Sequence, residues 1–223
     1  MIKFKNIITA DADQMRFVVE GMRNPMNSWS VSDSEMRFDS LLEGMFVLGY
    51  DDRKLMKRLS KAGADHRKFM RMMPVYVRIT APLYWWKEFD TYKVGTISNS
   101  CSTMHKIAEK EFTLDDFSHE HLIDTCLLEK IINELNIYRD IYNNYDAQSD
   151  KYKAEFSKKD IWWQMIQLLP SSYNQTRNVM MNYEVLANIY KSRKEHKLNE
   201  WREFCTLIEK LPYREIIIGN TED

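Results

Sequence analysis

The residues best suited to chemistry fall in two stretches. The first is Thr91-Tyr92-Lys93-Val94-Gly95-Thr96-Ile97-Ser98-Asn99-Ser100-Cys101-Ser102-Thr103-Met104, rich in hydroxyls and amides and carrying one thiol. It directly follows the aromatic run Tyr84-Trp85-Trp86-Lys87-Glu88-Phe89. Buried hydroxyls and amides need partners, so small donors and acceptors beside rigid rings compose a binding loop. The same composition describes a helix-capping loop beside a core segment. Cys101, placed after Lys93, reads either as a thiol of lowered pKa or as a buried inert cysteine.

The second stretch is Asn182-Tyr183-Glu184-Val185-Leu186-Ala187-Asn188-Ile189-Tyr190-Lys191-Ser192-Arg193. Eleven positions are close to three helical turns, so the spacing predicts Asn182 and Arg193 on nearly one helix face. An amide and a guanidinium together can bind a heterocycle's amide edge and its carbonyl or phosphate oxygens. A solvated face with ordinary caps has the same pattern. A third stretch, Arg23 to Ser34, has no period and many turn formers; it reads as a ligand loop or as a surface loop with Trp29 plugged into the core. Metal chemistry has little support: His119 and His121 are two apart and point to different helix faces, and no Cys-x-x-Cys or His-Glu-x-x-His occurs. Gly-rich phosphate loops and dinucleotide fingerprints are absent from the sequence, and no Ser-His-Asp order stands out.

The elements that must position these residues read as follows. Ile2 to Thr9 alternates as a strand, and a helix capped by Asp11 or Asp13 follows to Met22. Asp51 opens a helix ending at Gly63, and another helix starts within Ala64 to Phe69. Val75 to Thr80 alternates as a strand, and Pro82 opens a short helix. Beyond the 91–104 loop a helix begins near Ser102. A longer one is predicted over 118–145, with a stripe of Leu127, Ile131, Leu135, Tyr138, Tyr142 and Tyr145. After a further helix to Leu169, 179–193 and 197–211 read as helices and Tyr213 to Ile218 as a closing strand.

The 223 residues fit one large domain, and 32 basic against 33 acidic side chains exclude a broad polyanion-binding surface such as a nucleic-acid interface. Only 6 glycines and 5 prolines argue against a turn-rich all-β chain. Three scattered cysteines predict free thiols in a reducing compartment. The N-terminus lacks a signal-like apolar run, and no segment is long enough to span a membrane. The expectation is a soluble, cytoplasmic, single α+β domain over 1–223, a small antiparallel sheet with several long helices.

From about His66 to about Cys205 the chain also resembles the flavin-dependent thymidylate synthases, the ThyX family. That family carries Arg-His-Arg, seven residues, then Ser. Here Thr91-Tyr92-Lys93 takes the triplet's place, and Cys101 takes the serine's at the same spacing. His66 falls on a flavin-contacting histidine ahead of the strand. Leu169-Pro170 precedes Asn182 as the family's Leu-Pro precedes a flavin-binding Asn. Asn188 lands on a second such Asn, and Arg193 on the arginine that binds the pyrimidine and promotes its ionisation. The resemblance therefore implies FAD held by His66, Tyr92, Lys93, Asn182 and Asn188. It further implies a nucleotide lined by Glu88, Asn99, Ser100, Cys101 and Ser102, with Arg193 both substrate-binding and catalytic. The implied reaction is reductive methylation of dUMP to dTMP with methylenetetrahydrofolate and NADPH, in a homotetramer. The departures are specific. Thr91 and Tyr92 lose charged groups, Asn99 stands for a Glu, Thr103 for an Arg, and Glu184 for a flavin-side Arg. Ile166-Gln167 replace the arginine that reaches the nucleotide phosphate, leaving Arg23, Arg78 or Arg177 to compensate. A different pyrimidine nucleotide as substrate, or a non-catalytic nucleotide-binding oligomer, are the alternatives.

Overall fold

The computed structural model describes residues 2–38 and 44–219. In chain order its elements are β1 (Lys3–Thr9), α1 (Ala12–Arg23), β2 (Glu35–Phe38), β3 (Gly44–Val47), α2 (Tyr50–Lys61), β4 (Pro74–Pro82), α3 (Leu83–Phe89) and β5 (Ile97–Ser100). Then come α4 (Thr103–Lys106), α5 (Cys126–Asn143), α6 (Asp150–Glu155), α7 (Lys158–Leu168), β6 (Asn174–Asn182), α8 (Tyr183–Arg193), α9 (Asn199–Ile208) and α10 (Glu215–Ile218). This is an α+β fold with a four-stranded sheet, ordered β1-β4-β6-β5, and a two-stranded β2-β3 ribbon.

Side chains reveal the register of the central pair. Arg78 Nε donates to Asn178 Oδ1 at 3.0 Å, and the Thr80 and Thr176 hydroxyls lie 2.7 Å apart. Partner numbers that rise on one strand as they fall on the other make β4 and β6 antiparallel. Val75, Val77, Ile79 and Ala81 alternate inward on β4, matched by Val179 and Met181 on β6.

Packing groups the residues into two compact units. The first comprises Ile79–Thr91 and Asn99–Arg177 with residues 2–3. Its core holds Phe112, Phe117, Leu128, Ile132, Leu135 and Met165 where α5 packs on α7. In the same unit Trp85 stacks on Phe89 at 5.0 Å, with Trp86 edge-on to both. The second unit comprises Phe4–Arg78, Tyr92–Ser98 and the chain from Asn178 onward. Its core includes Met15, Val19, Met56, Met70, Leu186 and Trp201.

Several expectations hold. Asp11 caps α1 in a reciprocal capping box with Gln14, Gly63 follows α2 at φ +97°, and Pro82 precedes α3. Others are corrected. Residues 64–66 form a turn and Lys68–Met72 a 3-10 helix rather than an α-helix. The long helix starts at Cys126, not 118, and buries Leu128, Ile132 and Leu135 while Leu127 faces water. Residues 179–182 finish a strand, and α8 starts only at Tyr183. Residues 215–218 are helical rather than a strand, packed on α8 and α2. The 91–104 loop contains strand β5, Trp29 is exposed instead of plugging the core, and the β2-β3 ribbon was not foreseen.

Candidate functional site

In the second unit the segment 92–95 runs beside α8, with Tyr92 at one end of the helix and Gly95 at the other. Asn182 is not on the helix face; it is the N-cap of α8, and its Oδ1 accepts from the Val185 amide at 3.0 Å. Its Nδ2 reaches the Gly95 carbonyl at 3.5 Å. Gly95 has φ +71°, and a Cβ there would run into the Asn182 side-chain amide, so glycine suits both this backbone conformation and the approach of that side chain. Arg193 is the last residue of α8. With a rise of 1.5 Å per residue, the Asn182 and Arg193 backbones lie roughly 16 Å apart. The expected single face is therefore replaced by two ends of one helix, a span suited to a ligand longer than one base.

At the C-terminal end the Arg193 guanidinium is fixed on three sides. Its Nε donates to the Tyr92 hydroxyl at 2.9 Å. Its carbon lies 4.7 Å from the Trp201 ring centroid, and Nη1 lies 3.0 Å from His196 Nε2. Stacking on an indole holds a guanidinium's plane in place.

In the first turn of α8, the Glu184 carboxylate is buried and paired with Arg67, whose Nε donates at 3.1 Å, and with Arg71. The hydrogen bond from Arg71 leads in holding the Glu184 carboxyl below its usual range, with Arg67 adding to it; burial opposes both. Arg67 also reaches Asn188 Oδ1 at 3.4 Å, and both His66 and Asn188 are exposed. Lys61, Arg67, Asn188, Lys191 and Lys194 line a cleft of about 320 Å³ here. Where the resemblance registered only a lost arginine at 184, two arginines come from elsewhere in the chain. Their spacing carries no α-helical signal, because the stretch folds as a turn followed by a 3-10 helix.

In the first unit, Asn99 and Ser100 end β5, and Cys101 and Ser102 follow, all exposed. Cys101 is thus neither buried nor part of the core. Ser102 caps α4 by accepting from the His105 amide. Gln175 Nε2 donates to the Cys101 carbonyl at 3.3 Å and the Thr103 hydroxyl at 3.0 Å, pinning this segment. A cleft of about 510 Å³ is lined by Thr80, Cys101, Thr103, Lys106, Lys110 and Tyr173. Its two cations are already matched, Lys106 by Glu109 and Lys110 by Asp116. Glu88 is half-buried, and its carbonyl accepts from the Thr91 amide and hydroxyl at 3.1 and 2.7 Å. Of the arginines expected to compensate, Arg177 bonds Asp90 and Gln175 and lies 4.2 Å over the Trp86 ring. Arg23 is buried on Asp52, and Arg78 donates to Asn178.

His66, Tyr92, Lys93, Asn182, Asn188 and Arg193 therefore belong to one unit, and Glu88 with Asn99 to Ser102 to the other. Among the described residues no group of three His, Cys, Asp or Glu side chains is arranged to hold a metal, and no helix is long and apolar enough to cross a membrane.

Against known proteins, no family model matches the sequence, and no curated protein matches it either. Solved structures do match in fold. One is thymidylate synthase X from Helicobacter pylori with FAD and dUMP, at a TM-score of 0.66 and 14% identity, covering 98% of this chain and 97% of that one. A second structure of the H. pylori flavin-dependent enzyme, also complexed with FAD and dUMP, gives 0.63 and 14%, with 97% of each chain covered. The chain therefore has a ThyX-like fold.

Proposed function

We propose that this chain is a flavin-dependent enzyme that methylates a pyrimidine nucleotide at C5, converting dUMP to dTMP with methylenetetrahydrofolate as carbon donor and NADPH as reductant. The observation that carries the reading is the Arg193 guanidinium, held by Tyr92 and Trp201 at the end of the helix that Asn182 opens. The full-length fold likeness to proteins complexed with FAD and dUMP supports it.

The donor set suits FAD. A flavin dinucleotide is long and carries a dianionic pyrophosphate; the residues beside α8 supply a matching length, and the cleft there is lined by Lys191 with Arg67, already paired with Glu184, Lys194, already near Glu195, and the Glu215 carboxylate. His66, Tyr92, Lys93, Asn182 and Asn188 would hold it. Bound there, the cofactor would supply hydride transfer and carriage of the one-carbon unit. Arg193 polarises the pyrimidine's amide edge and favours loss of its N3 proton, because a fixed cation stabilises the developing charge. Glu88, Asn99, Ser100, Cys101 and Ser102 line the nucleotide. The assembly is a cytoplasmic homotetramer.

One observation favours a second reading, a flavin enzyme acting on another pyrimidine nucleotide. In the cleft that Cys101 lines, the cations Lys106 and Lys110 already face Glu109 and Asp116, so a monophosphate gains little there. Absorbance of the purified protein separates these from a non-flavin role: no flavin band and no binding at saturating FAD sinks both. Tritium release from 5-labelled deoxyuridylate then identifies dUMP as substrate, and a flavoprotein that releases none points to the second reading. Sedimentation equilibrium tests the tetramer.

A further inference from the structure

We propose that the first unit carries a nucleoside-phosphate site in a cleft of its own, where the start of α7 meets α4 and the end of α5. The cleft has a volume of about 400 Å³, and its walls include Tyr142, Lys158, Lys159, Trp162 and His105, with no carboxylate among them. That volume is within the range that takes a mononucleotide.

The cations are unspent. Lys158 and Lys159 are the first two residues of α7, both are exposed, and neither forms an ion pair among the described residues. The carboxylate next in sequence, Asp160, is occupied by the cap: the Ser157 amide and hydroxyl donate to its Oδ2 at 2.8 and 2.6 Å. Two lysines at a helix start stand against the positive end of the helix dipole. A bound anion offsets that repulsion, and a phosphate accepts from both ammonium groups.

The other wall is aromatic. Trp162 Nε1 donates to the Met104 carbonyl at 2.9 Å, which fixes the indole plane against α4. Lys158 Nζ lies 4.9 Å from the Tyr142 ring centroid, so cation and ring already share the cleft. Ile107 and Ala108 form a buried apolar floor. Fixed rings beside unpaired lysines match a base joined to a phosphate: the base stacks and the phosphate takes the cations. An inorganic anion alone would fill only part of a cleft of this volume. Neither flavin nor Arg193 enters this site, so it stands apart from the proposed activity.

The test uses the full chain, without FAD, labelled with nitrogen-15. The Trp162 indole N–H signal, assigned with Trp162→Phe, reports on the cleft. dUMP and AMP are titrated as nucleotide probes, against deoxyuridine and inorganic phosphate. The expected result is a shift with at least one nucleotide, with nucleoside and phosphate each at least about tenfold weaker. Lys158→Glu/Lys159→Glu should weaken the nucleotide at least about tenfold. Acidic residues at a helix start favour the helix, so this variant keeps its fold, which circular dichroism checks. A Trp162 signal unmoved by either nucleotide overturns the site, as does a shift that survives the double charge reversal. Phosphate binding as well as the nucleotides would overturn the assignment to a nucleoside phosphate. Flavin absorbance, read separately, keeps a failure of this site distinct from a failure of the flavin reading.

Discussion

Two buried carboxylates in the second unit, Asp52 and Glu184, meet the same problem in opposite ways. A buried charge costs several kcal/mol unless it is paired and its remaining lone pairs are satisfied. The Asp52 side chain is 0% exposed and its partner Arg23 only 6%. Arg23 Nε donates to Oδ1 at 2.5 Å, while Oδ2 accepts from the Ser32 and Ser34 hydroxyls, both at 2.6 Å. Arg23 Nη1 turns back to the Ser28 carbonyl at 3.2 Å. The network is closed, and it ties the irregular 24–34 stretch to α2. The Glu184 side chain is 7% exposed, but Arg67 and Arg71 are 27% and 45% exposed. Here the anion is inside and the cations reach outward. The first arrangement orders a loop; the second holds two guanidinium groups at the surface in fixed positions, where a ligand can meet them.

The contrast breaks most sharply at Asp52. Asp52→Ala leaves Arg23 buried without a counter-charge and should lower stability by about 3–5 kcal/mol, read from the urea midpoint. Glu184→Ala should cost less, about 1–3 kcal/mol, because Arg67 and Arg71 can turn into water; an equal loss at the two sites would erase the distinction. Acid sharpens it further. The Glu184 carboxyl is held below 4.5 by its arginines, so its contribution is complete above that pH and is lost as the pH falls through the lowered folded value. The gap in urea midpoint between the parent and Glu184→Gln should therefore hold at neutral pH and close only below about pH 4.5. A gap that narrowed on going from pH 5 to pH 7 would have the wrong sign. Gly95→Ala, which forces a left-handed residue and a collision with Asn182, should cost about 1–2 kcal/mol and loosen segment 92–95. Arg193→Ala has the smallest expected effect on the fold, about 0.5–1 kcal/mol for the lost stacking, while abolishing dUMP binding in calorimetry once Lys158→Glu/Lys159→Glu has removed the cleft beside α7. Unchanged affinity would remove Arg193 from the proposed mechanism.

The sequence makes β4 easy to read, because Val75, Val77 and Ile79 alternate with Tyr76, Arg78 and Thr80. It does not do so for the end of β6. Val179-Met180-Met181-Asn182 lacks alternation and continues into a helix, so only pairing with a strand about a hundred positions away separates strand from helix there. In α5 the period was right: Leu135 is in the core and Ile131, Tyr138 and Tyr142 pack against it, while Leu127 faces water. Adjacent apolar pairs, Leu127-Leu128 and Ile131-Ile132, offer two stripes, and packing on α7 selects the one through Leu128. Tyr213 to Ile218 has a β-branched run, yet contact with α8 and α2 makes its end helical. Single candidate positions such as Arg193 can be picked out of the sequence. The Arg71–Glu184 pair cannot, because its members are 113 residues apart. Local spacing shows which side chains can react, and only the fold shows which are already taken.

The antiparallel register of β4 and β6 also sets an order of events in folding. Arg78 and Asn178 meet across 100 residues, and closing so long a loop is slow because chain entropy is lost before contacts repay it. The α5–α7 pair lies inside that interval and needs only short connections, so it can form early and shorten the effective loop. Asn182 on Gly95 and Glu184 on its arginines come together only once β6 is in register. In a refolding experiment followed by hydrogen exchange, α5 should gain protection first. The amides at the start of α8, and with them the residues assigned to chemistry, should be among the last.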